Sequence, residues 1–229
     1  MSEIIIKSSK DLHSDTIKCL VYGDSGMGKT FLSSTLEHNK TLIVSAESGL
    51  LSINDFSIDV LEVKKWSDIT EIFKFINSDK GAKYDNIFID SLTELSNMLA
   101  NNLESLPEYK PSNMKLKMWG DYNNRFSAFI RRFRDLDKNV IFTALSEDIN
   151  DNGSILRTPF IKGNATQKIL MSFFDEVFHL KIDPIKQKRI LQVQPTSQIS
   201  AKDRSGKLES EEEPNLTEIF NKIRGIKND

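Results

Sequence analysis

The chain has 229 residues, with 31 Lys and Arg against 33 Asp and Glu, and a formal net charge of -2. Its hydrophobic fraction of 38% and charged fraction of 28% exclude a largely disordered chain, and the near-neutral sum excludes a polycation that coats nucleic acid through bulk charge. At about 100–200 residues per domain, this length predicts one large domain or a core domain with a small appendage.

In chain order, short apolar segments alternate with longer segments of helical character. This order is typical of strand–helix–strand units around a parallel sheet, and continuous apolar runs favour strands covered on both faces. The last two predicted strands are separated only by residues 183–188 and should form a hairpin. Strands are predicted at Lys18–Tyr22, Thr41–Ser45, Asp59–Val63, Asn86–Ile89, Asn139–Ala144, Glu176–Ile182 and Arg189–Gln194, and helices at Lys29–Leu36, Ser67–Asn77, Thr93–Leu103, Met118–Leu136, Ala165–Phe174 and Asn215–Arg224.

The beginning of the chain and its single cysteine bear on the compartment. Residues 1–3 do not form the basic start of a secretory signal, and no apolar run approaches the ~20 residues that a membrane-spanning helix requires. Cys19 lies in an apolar stretch without a second cysteine, which indicates a buried thiol in a reducing compartment. We therefore predict a cytoplasmic protein with no membrane segment. His13, His38 and His179 are too scattered to predict a zinc site.

The first predicted strand leads into a glycine-rich motif of the form G-x-x-x-x-G-K-[ST]. Glycines at these positions allow backbone angles that turn successive N–H groups towards a phosphate. Lys29 would supply positive charge to the outer phosphates, and the Thr30 hydroxyl would be a ligand of Mg²⁺. A glycine-rich turn with a surface lysine is the alternative, but the strand before the motif and the helical segment after it favour a nucleotide site. The motif consists of Gly23, Asp24, Ser25, Gly26, Met27, Gly28, Lys29 and Thr30.

Two other glycine motifs do not fit this segment. A nucleophile elbow, G-x-S-x-G, needs a glycine where Met27 stands, and a dinucleotide-binding G-x-G-x-x-G needs one where Phe31 stands. A nucleoside triphosphate with Mg²⁺ is therefore the predicted ligand, and the motif alone does not separate ATP from GTP.

Two further predicted strands are followed by an acidic residue. Asp90 ends an apolar strand, as in a Walker B motif, and is predicted to hold Mg²⁺ through its water shell; helix capping is the alternative. Glu47 follows the second strand and is the predicted base that activates water, with an ordinary strand-end acid as the alternative. Ligands bind at the carboxyl ends of strands in open α/β sheets, so both acids are expected beside the glycine-rich motif of residues 23–30, which we call the P-loop. The competing acids Asp24, Glu37 and Asp85 are less well placed.

These segments together resemble the RecA-type ATPase core. The resemblance lies in the P-loop, in Ala46-Glu47 and Ile89-Asp90-Ser91 after apolar strands, and in their order along the chain. Lys162-Gly163-Asn164-Ala165 is similar to the segment that closes the second DNA-binding loop of RecA, and Lys202-Asp203-Arg204-Ser205-Gly206 resembles the K-N-R-F-G motif of the RadA branch. The chain looks most like the phage-encoded RecA-like ATPases of single-strand annealing and recombination. It departs from RecA at Ser45, where Asp is common, and at Leu145-Ser146-Glu147, which replaces a segment with a phosphate-sensing Gln.

The resemblance implies a fold, an activity and an assembly. The fold is α/β: a three-layer RecA-like P-loop NTPase core with a mostly parallel central sheet and a C-terminal antiparallel hairpin. The activity is Mg²⁺-dependent ATP hydrolysis. The assembly is a homo-oligomer, ring or filament, in which Lys202 and Arg204 of one subunit act on the nucleotide of its neighbour; a polar loop with surface charges is the alternative. Residues 1–208 are predicted to form the core, and 209–229 an acidic linker with a short helix.

Two irregular segments, residues 101–117 and 147–164, take the positions of the two DNA-contacting loops of RecA. Residues 110–134 carry seven basic residues and one acidic residue, a net of +6, interleaved with aromatic residues. Basic grooves with aromatic platforms suit single-stranded DNA. Alternatively, the aromatic residues face the core at helical spacing and the arginines form a solvated face. The predicted DNA contacts are Lys110, Lys115, Lys117, Arg157 and Lys162.

Three functions remain open from the sequence. The leading hypothesis is an ATP-hydrolysing oligomer that acts on single-stranded DNA in phage recombination, annealing or repair, with recombination proteins as possible partners and the host cytoplasm as its location. The second is a P-loop ATPase that regulates or loads a partner without binding DNA directly. The third is a small-molecule kinase, which is less favoured because no arginine-rich lid follows Asp90 and Glu47 would lack a clear role.

Overall fold

The structure is a computed structural model that describes residues 15–47, 49–151 and 153–226; His13 lies outside them. Within these residues the strands are β1 (Lys18–Tyr22), β2 (Thr41–Ser45), β3 (Asp59–Glu62), β4 (Asn86–Asp90), β5 (Asn139–Asp151), β6 (Ser154–Phe160), β7 (Glu176–Ile182), β8 (Arg189–Gln192), β9 (Lys202–Asp203) and β10 (Glu211–Glu212). The α-helices are α1 (Asp68–Ile76), α2 (Leu92–Ser105), α3 (Lys115–Arg134), α4 (Asn164–Ile169) and α5 (Leu216–Arg224). Short 3-10 helices lie at Thr30–Thr35, His38–Lys40, Leu50–Ile53, Pro107–Tyr109, Ser112–Met114 and Leu170–Phe173.

The strands form one mostly parallel sheet in the order β10-β8-β7-β1-β5-β4-β2-β3. Strands β7, β1, β5, β4, β2 and β3 pair in parallel, and β8 pairs antiparallel with β7 and β10. The predicted α/β fold with a C-terminal antiparallel hairpin is therefore confirmed. Because parallel strands all point the same way, β1, β2 and β4 end at the same edge of the sheet, where the predicted site residues follow.

The core lies on both faces of the sheet, which gives three layers. Alternate side chains of a strand point to opposite faces. In β1, Leu20 and Tyr22 pack with α1, α2 and α3 on one face, whereas Cys19 and Val21 pack with α5 and the 3-10 helix Thr30–Thr35 on the other. Cys19 is fully buried, as predicted, and burial raises the pKa of its thiol.

The segment after the P-loop differs from the predicted α-helix at Lys29–Leu36. It is a 3-10 helix over Thr30–Thr35. Three consecutive hydroxyl groups each donate to a backbone carbonyl three residues earlier at 2.7 Å, and side chains of this kind compete with regular helical hydrogen bonding. The hydroxyls belong to Ser33, Ser34 and Thr35.

The predicted irregular segment at 147–164 is mostly a β-hairpin, which we call the arm. Strand β5 continues beyond Ala144 to Asp151 and pairs antiparallel with β6, from Leu145 opposite Phe160 to Asp151 opposite Ser154. At the tip, Gly153 has a φ of +87°, and its N–H donates to the Asn150 side chain at 2.9 Å. Asn150 and Asp151 thus belong to strand β5, and Gly153 directly precedes β6, so this segment is a hairpin rather than an open loop.

The other predicted irregular segment, residues 101–117, is shorter than expected. Helix α2 continues to Ser105 and α3 begins at Lys115, so only residues 106–114 lie between them. The aromatic residues of α3 face the core, in agreement with the alternative to a DNA-stacking surface. Trp119 packs against the core cluster, and the buried residues are Tyr122, Phe126, Phe129 and Phe133.

The acidic C-terminal segment packs on the sheet. Strand β10 pairs with β8, and α5 buries Leu216, Ile219 and Phe220 among residues of β1 and β2. The boundary between residues 208 and 209 stays a prediction. None of the helices in the described part of the chain combines the length and the apolar character that crossing a membrane requires.

Candidate nucleotide-binding site

The glycine-rich loop leaves the end of β1 in the conformation that its glycines permit. Gly28 has a φ of +98°, in the region that side chains with a Cβ rarely adopt. A Cβ on Gly23 would lie 2.5 Å from the carbonyl oxygen of Leu180, so only glycine fits against β7 at this position. The Gly23 N–H donates to the Ala144 carbonyl at 3.2 Å, which fixes the loop to β5. The loop therefore sits at the carboxyl edge of the central strands.

The Lys29 side chain lies within this loop. Its ammonium group donates to the carbonyls of Gly23 and Asp24, both at 2.9 Å, and the residue is buried. Burial lowers the Lys29 pKa, while the nearby carboxylates of Asp90 and Glu47 act in the opposite direction. A positive charge is thus held between the loop and two acids, where it can meet phosphate oxygens.

Thr30 and Asp90 are in direct contact. The Thr30 hydroxyl donates to Asp90 Oδ2 at 2.6 Å, and the Thr143 hydroxyl of β5 donates to Asp90 Oδ1. Asp90 is only 2% exposed, so its carboxylate is held in one orientation. A hydroxyl and a carboxylate are oxygen ligands of the kind that Mg²⁺ prefers. The described residues contain no cluster of three or more His, Cys, Asp or Glu ligands, so phosphate and water would have to complete the coordination.

Glu47 lies beside Asp90 at the end of the neighbouring strand. Ser45 of β2 is opposite Asp90 of β4, and the Ala46 N–H donates to the Asp90 carbonyl at 2.7 Å. The Ser91 hydroxyl donates to Glu47 Oε1. Glu47 is exposed, so water can reach its carboxylate. The structure thus brings together the P-loop, Asp90 and Glu47, and the assignment of their roles stays a prediction.

Asp24 connects the P-loop to the arm. The Ser146 hydroxyl donates to Asp24 Oδ1, and Arg157 Nη1 lies 3.2 Å from Asp24 Oδ2. Arg157 also donates to both carboxylate oxygens of Asp148, at 2.8 and 3.0 Å. These pairings raise the Arg157 pKa and lower that of Asp148. The positive charge of Arg157, a predicted DNA contact, is therefore neutralised by two carboxylates of the same chain. Through its contact with Asp24, Arg157 also links the arm to the P-loop.

Several residues of the site were missed by the sequence reasoning. Thr143 and Ser91 orient the two carboxylates, and Ser146 fixes Asp24. Thr143 could have been noticed as a polar residue within an otherwise apolar strand. His179, in β7 beside Tyr22, packs on the Tyr22 ring at a centroid distance of 4.8 Å. Burial, together with the nearby charge of Arg157, lowers the pKa of His179 to about 4, so it is neutral at physiological pH.

Lys202 and Arg204 lie at the opposite edge of the sheet from their own P-loop. Strand β9 pairs with the first residues of β7, with Lys202 opposite Val177. The Lys202 ammonium donates to the carbonyls of Phe174 at 2.5 Å and Met171 at 3.3 Å. Arg204 is paired with Asp175 at 2.6 Å and its side chain is 57% exposed. They cannot act on their own nucleotide from here, so any catalytic role requires a neighbouring subunit.

Glu176, beside Lys202, carries a pH dependence of stability. It is 1% exposed, and its Oε2 has no hydrogen-bond partner. Burial, with the nearby Asp203 carboxylate, raises its pKa from 4.5 to about 8. A raised folded-state pKa means that folding favours the protonated acid. This contribution to stability is complete below pH 4.5 and is lost as the pH rises towards 8.

We expect Glu176→Gln to remove this pH dependence. At pH 8.5 the variant should melt about 2–8 °C above the parent, corresponding to ~1–2 kcal/mol, because an uncharged amide replaces a buried carboxylate. The difference should shrink as the pH is lowered to 5.5. Melting curves across this pH range test it, with the exposed Glu209→Gln as a matched control. A constant difference between parent and variant at every pH would contradict the assignment.

The other predicted DNA contacts differ in exposure. Lys110, Lys115 and Lys117 are exposed at the start of α3 and just before it, whereas Lys162 is half-buried. The buried aromatic rings of α3 cannot serve as stacking platforms for bases. Exposed positive charge is therefore the feature of this region that remains available to an anionic partner.

The chain was compared with protein families, with curated proteins and with solved structures. The sequence pattern of a family described as AAA domain matches residues 15–205. No curated protein matches the chain. Among solved structures, "a prototypical ATPase from the type III secretion system of pathogenic bacteria" is 12% identical with a TM-score of 0.46, over 72% of this chain and 51% of that chain. The chain thus spans about half the length of that ATPase.

Proposed function

Because the chain belongs to the AAA domain family, as the match over residues 15–205 shows, we propose that it binds ATP with Mg²⁺ and hydrolyses it. The observation that carries this proposal is the meeting of Lys29, Thr30, Asp90 and Glu47 at one edge of the sheet, with Thr30 and Asp90 joined at 2.6 Å. Each of these residue types has a separate role in phosphoryl transfer.

Each of these residues has a different role in hydrolysis. Lys29 exchanges its carbonyl partners in the loop for phosphate oxygens. Thr30 and Asp90 would hold Mg²⁺, which supplies charge neutralisation at the phosphates when it is bound. Glu47 accepts a proton from the attacking water, and the Ser91 hydroxyl holds the Glu47 carboxylate in position for that transfer.

We further propose that the protein acts as a homo-oligomer on single-stranded DNA in recombination, annealing or repair. The exposed Lys110, Lys115 and Lys117 support this proposal, as does the resemblance to RecA-like ATPases. In such an assembly Arg204 would exchange Asp175 for the nucleotide of the neighbouring subunit. Lys202 would have to leave two backbone carbonyls, so Arg204 is the better candidate of the two.

A second candidate function is that of an ATPase that regulates or loads a partner protein without binding DNA directly. It is favoured by two observations. The aromatic residues of α3 are buried or pack against the core, and Arg157 of the arm is paired with Asp24 and Asp148. A direct measurement of DNA binding separates the two functions.

We expect the parent chain to bind a single-stranded oligonucleotide with an affinity that falls steeply with salt. Replacing Lys110, Lys115 and Lys117 together by Ala should weaken binding and reduce the slope of log affinity against log salt by about 2, since each phosphate contact contributes ~0.7. A control replaces three other exposed lysines, Lys64, Lys65 and Lys80. Absence of binding at low salt would favour the partner-loading function instead.

A further inference from the structure

The side chain of Arg189, the first residue of β8, lies against the P-loop. It is opposite Ile182, the last residue of β7, at the edge of the sheet where the P-loop also lies. Measured from the position that a Cβ on Gly28 would take, its Nε is 3.4 Å away, its Cδ 3.6 Å and its Cζ 3.8 Å. The side chain of Arg189 is thus in van der Waals reach of the residue that precedes Lys29.

The hairpin loop before Arg189 is held by its own hydrogen bonds. The Asp183 N–H donates to the Lys188 carbonyl at 2.8 Å, and the Gln187 N–H donates to the Asp183 carbonyl at 2.9 Å. The Asp183 carboxylate also accepts from the N–H groups of Ile185 and Lys186 at 2.8 and 3.2 Å. Arg189 therefore projects from a defined turn and a paired strand, and its position beside Gly28 is set by the backbone.

The charge of Arg189 is available for a ligand. Its side chain is exposed, and among the described residues it has neither an ion pair nor a hydrogen-bond partner. Arg157, the other arginine near the loop, is neutralised by Asp24 and Asp148. Among the described residues, Lys29 inside the loop and Arg189 at its rim can both offer positive charge to a phosphate bound there.

We propose that Arg189 is a nucleotide-binding residue that holds the α- and β-phosphates from the same chain; this inference rests on the proposed function. In a P-loop the backbone N–H groups cradle the α- and β-phosphates, and the lysine reaches the β- and γ-phosphates. Arg189 contacts the loop at Gly28, one of the residues whose backbone forms this cradle. Its planar guanidinium can donate two parallel hydrogen bonds to phosphate oxygens.

The test is nucleotide binding by Arg189→Ala, with Lys188→Ala as the matched control from the same hairpin. We expect Arg189→Ala to weaken the binding of both ADP and ATP about tenfold, and to raise KM by a similar factor with kcat at saturation nearly unchanged, because the contact is made equally before and during the reaction. Arg189→Lys should recover part of the loss. Lys188→Ala should bind ADP like the parent, and all variants should melt like the parent.

Several other binding results would contradict this role of Arg189. An unchanged ADP affinity in Arg189→Ala would overturn it, and so would an equal loss in Lys188→Ala, which would indicate a general effect of hairpin charge. A defect limited to ATP and kcat would place Arg189 at the γ-phosphate and contradict the assignment. If the parent chain itself failed to bind ADP, the proposed function would fail and this inference with it.

Discussion

Replacing Glu47 by Gln is expected to abolish most ATP hydrolysis while ATP binding is retained. A positioned general base contributes about 100- to 10,000-fold to a rate, so kcat should fall by roughly 1,000-fold. Gln keeps the shape of Glu and can still accept the Ser91 hydroxyl, so the local structure should persist. It cannot accept a proton from water. The readouts are phosphate release and the equilibrium affinity for ATP.

The matched control for this prediction is Glu37→Gln. Glu37 is an exposed acid two residues after the 3-10 helix Thr30–Thr35, and it precedes the short helix at His38–Lys40. We expect it to turn over ATP like the parent. Hydrolysis near the parent rate in Glu47→Gln would show that another group activates the water. A loss of ATP binding equal to the loss of turnover would show that Glu47 supports the site rather than the chemistry.

Replacing Lys29 by Ala is expected to weaken ATP binding itself. The buried ammonium lies within the loop at 2.9 Å from two carbonyls and is ready to meet phosphate oxygens. Hydrogen bonds to charged groups contribute about 1.5–3 kcal/mol, so the affinity for ATP should fall by up to ~100-fold. Titration with ATP measures this loss directly.

The control for Lys29→Ala is the exposed Lys65→Ala, which removes one positive charge elsewhere on the surface. Because Lys29 also binds the Gly23 and Asp24 carbonyls, the melting temperature of the variant must be compared with that of the parent. A folded Lys29→Ala variant with parent-like ATP affinity would contradict the assignment of this loop as the phosphate site.

The regular parts of the fold could be predicted from the sequence because they follow from apolar patterning. β1, β2 and β7 have the predicted bounds, and the mostly apolar residues of β1 and β2 are covered by both layers. The P-loop could be recognised because its backbone geometry demands glycine at Gly23 and Gly28. Local requirements of this kind, for apolar runs or for glycine, are visible in the sequence itself.

Features that depend on contacts between distant segments could not be predicted in the same way. The 13-residue length of β5 depends on its pairing with β6, although Gly153 offered a signal for a turn. Arg157 pairs with Asp24, 133 positions away in the chain. The sequence alone therefore suggested that the positive charge of Arg157 was available to DNA, whereas it is already paired. Arg189 looked like an ordinary first residue of a strand, because its neighbour Gly28 is distant in the chain.

Phosphate release from ATP in the presence of Mg²⁺ tests the central claim most directly, measured across protein concentration and with or without single-stranded DNA. We predict that the parent chain releases phosphate, with a rate per chain that rises with concentration as subunits assemble, and that Glu47→Gln does not. Phosphate release by the parent no greater than that by Glu47→Gln, at every concentration and with DNA present, would contradict it.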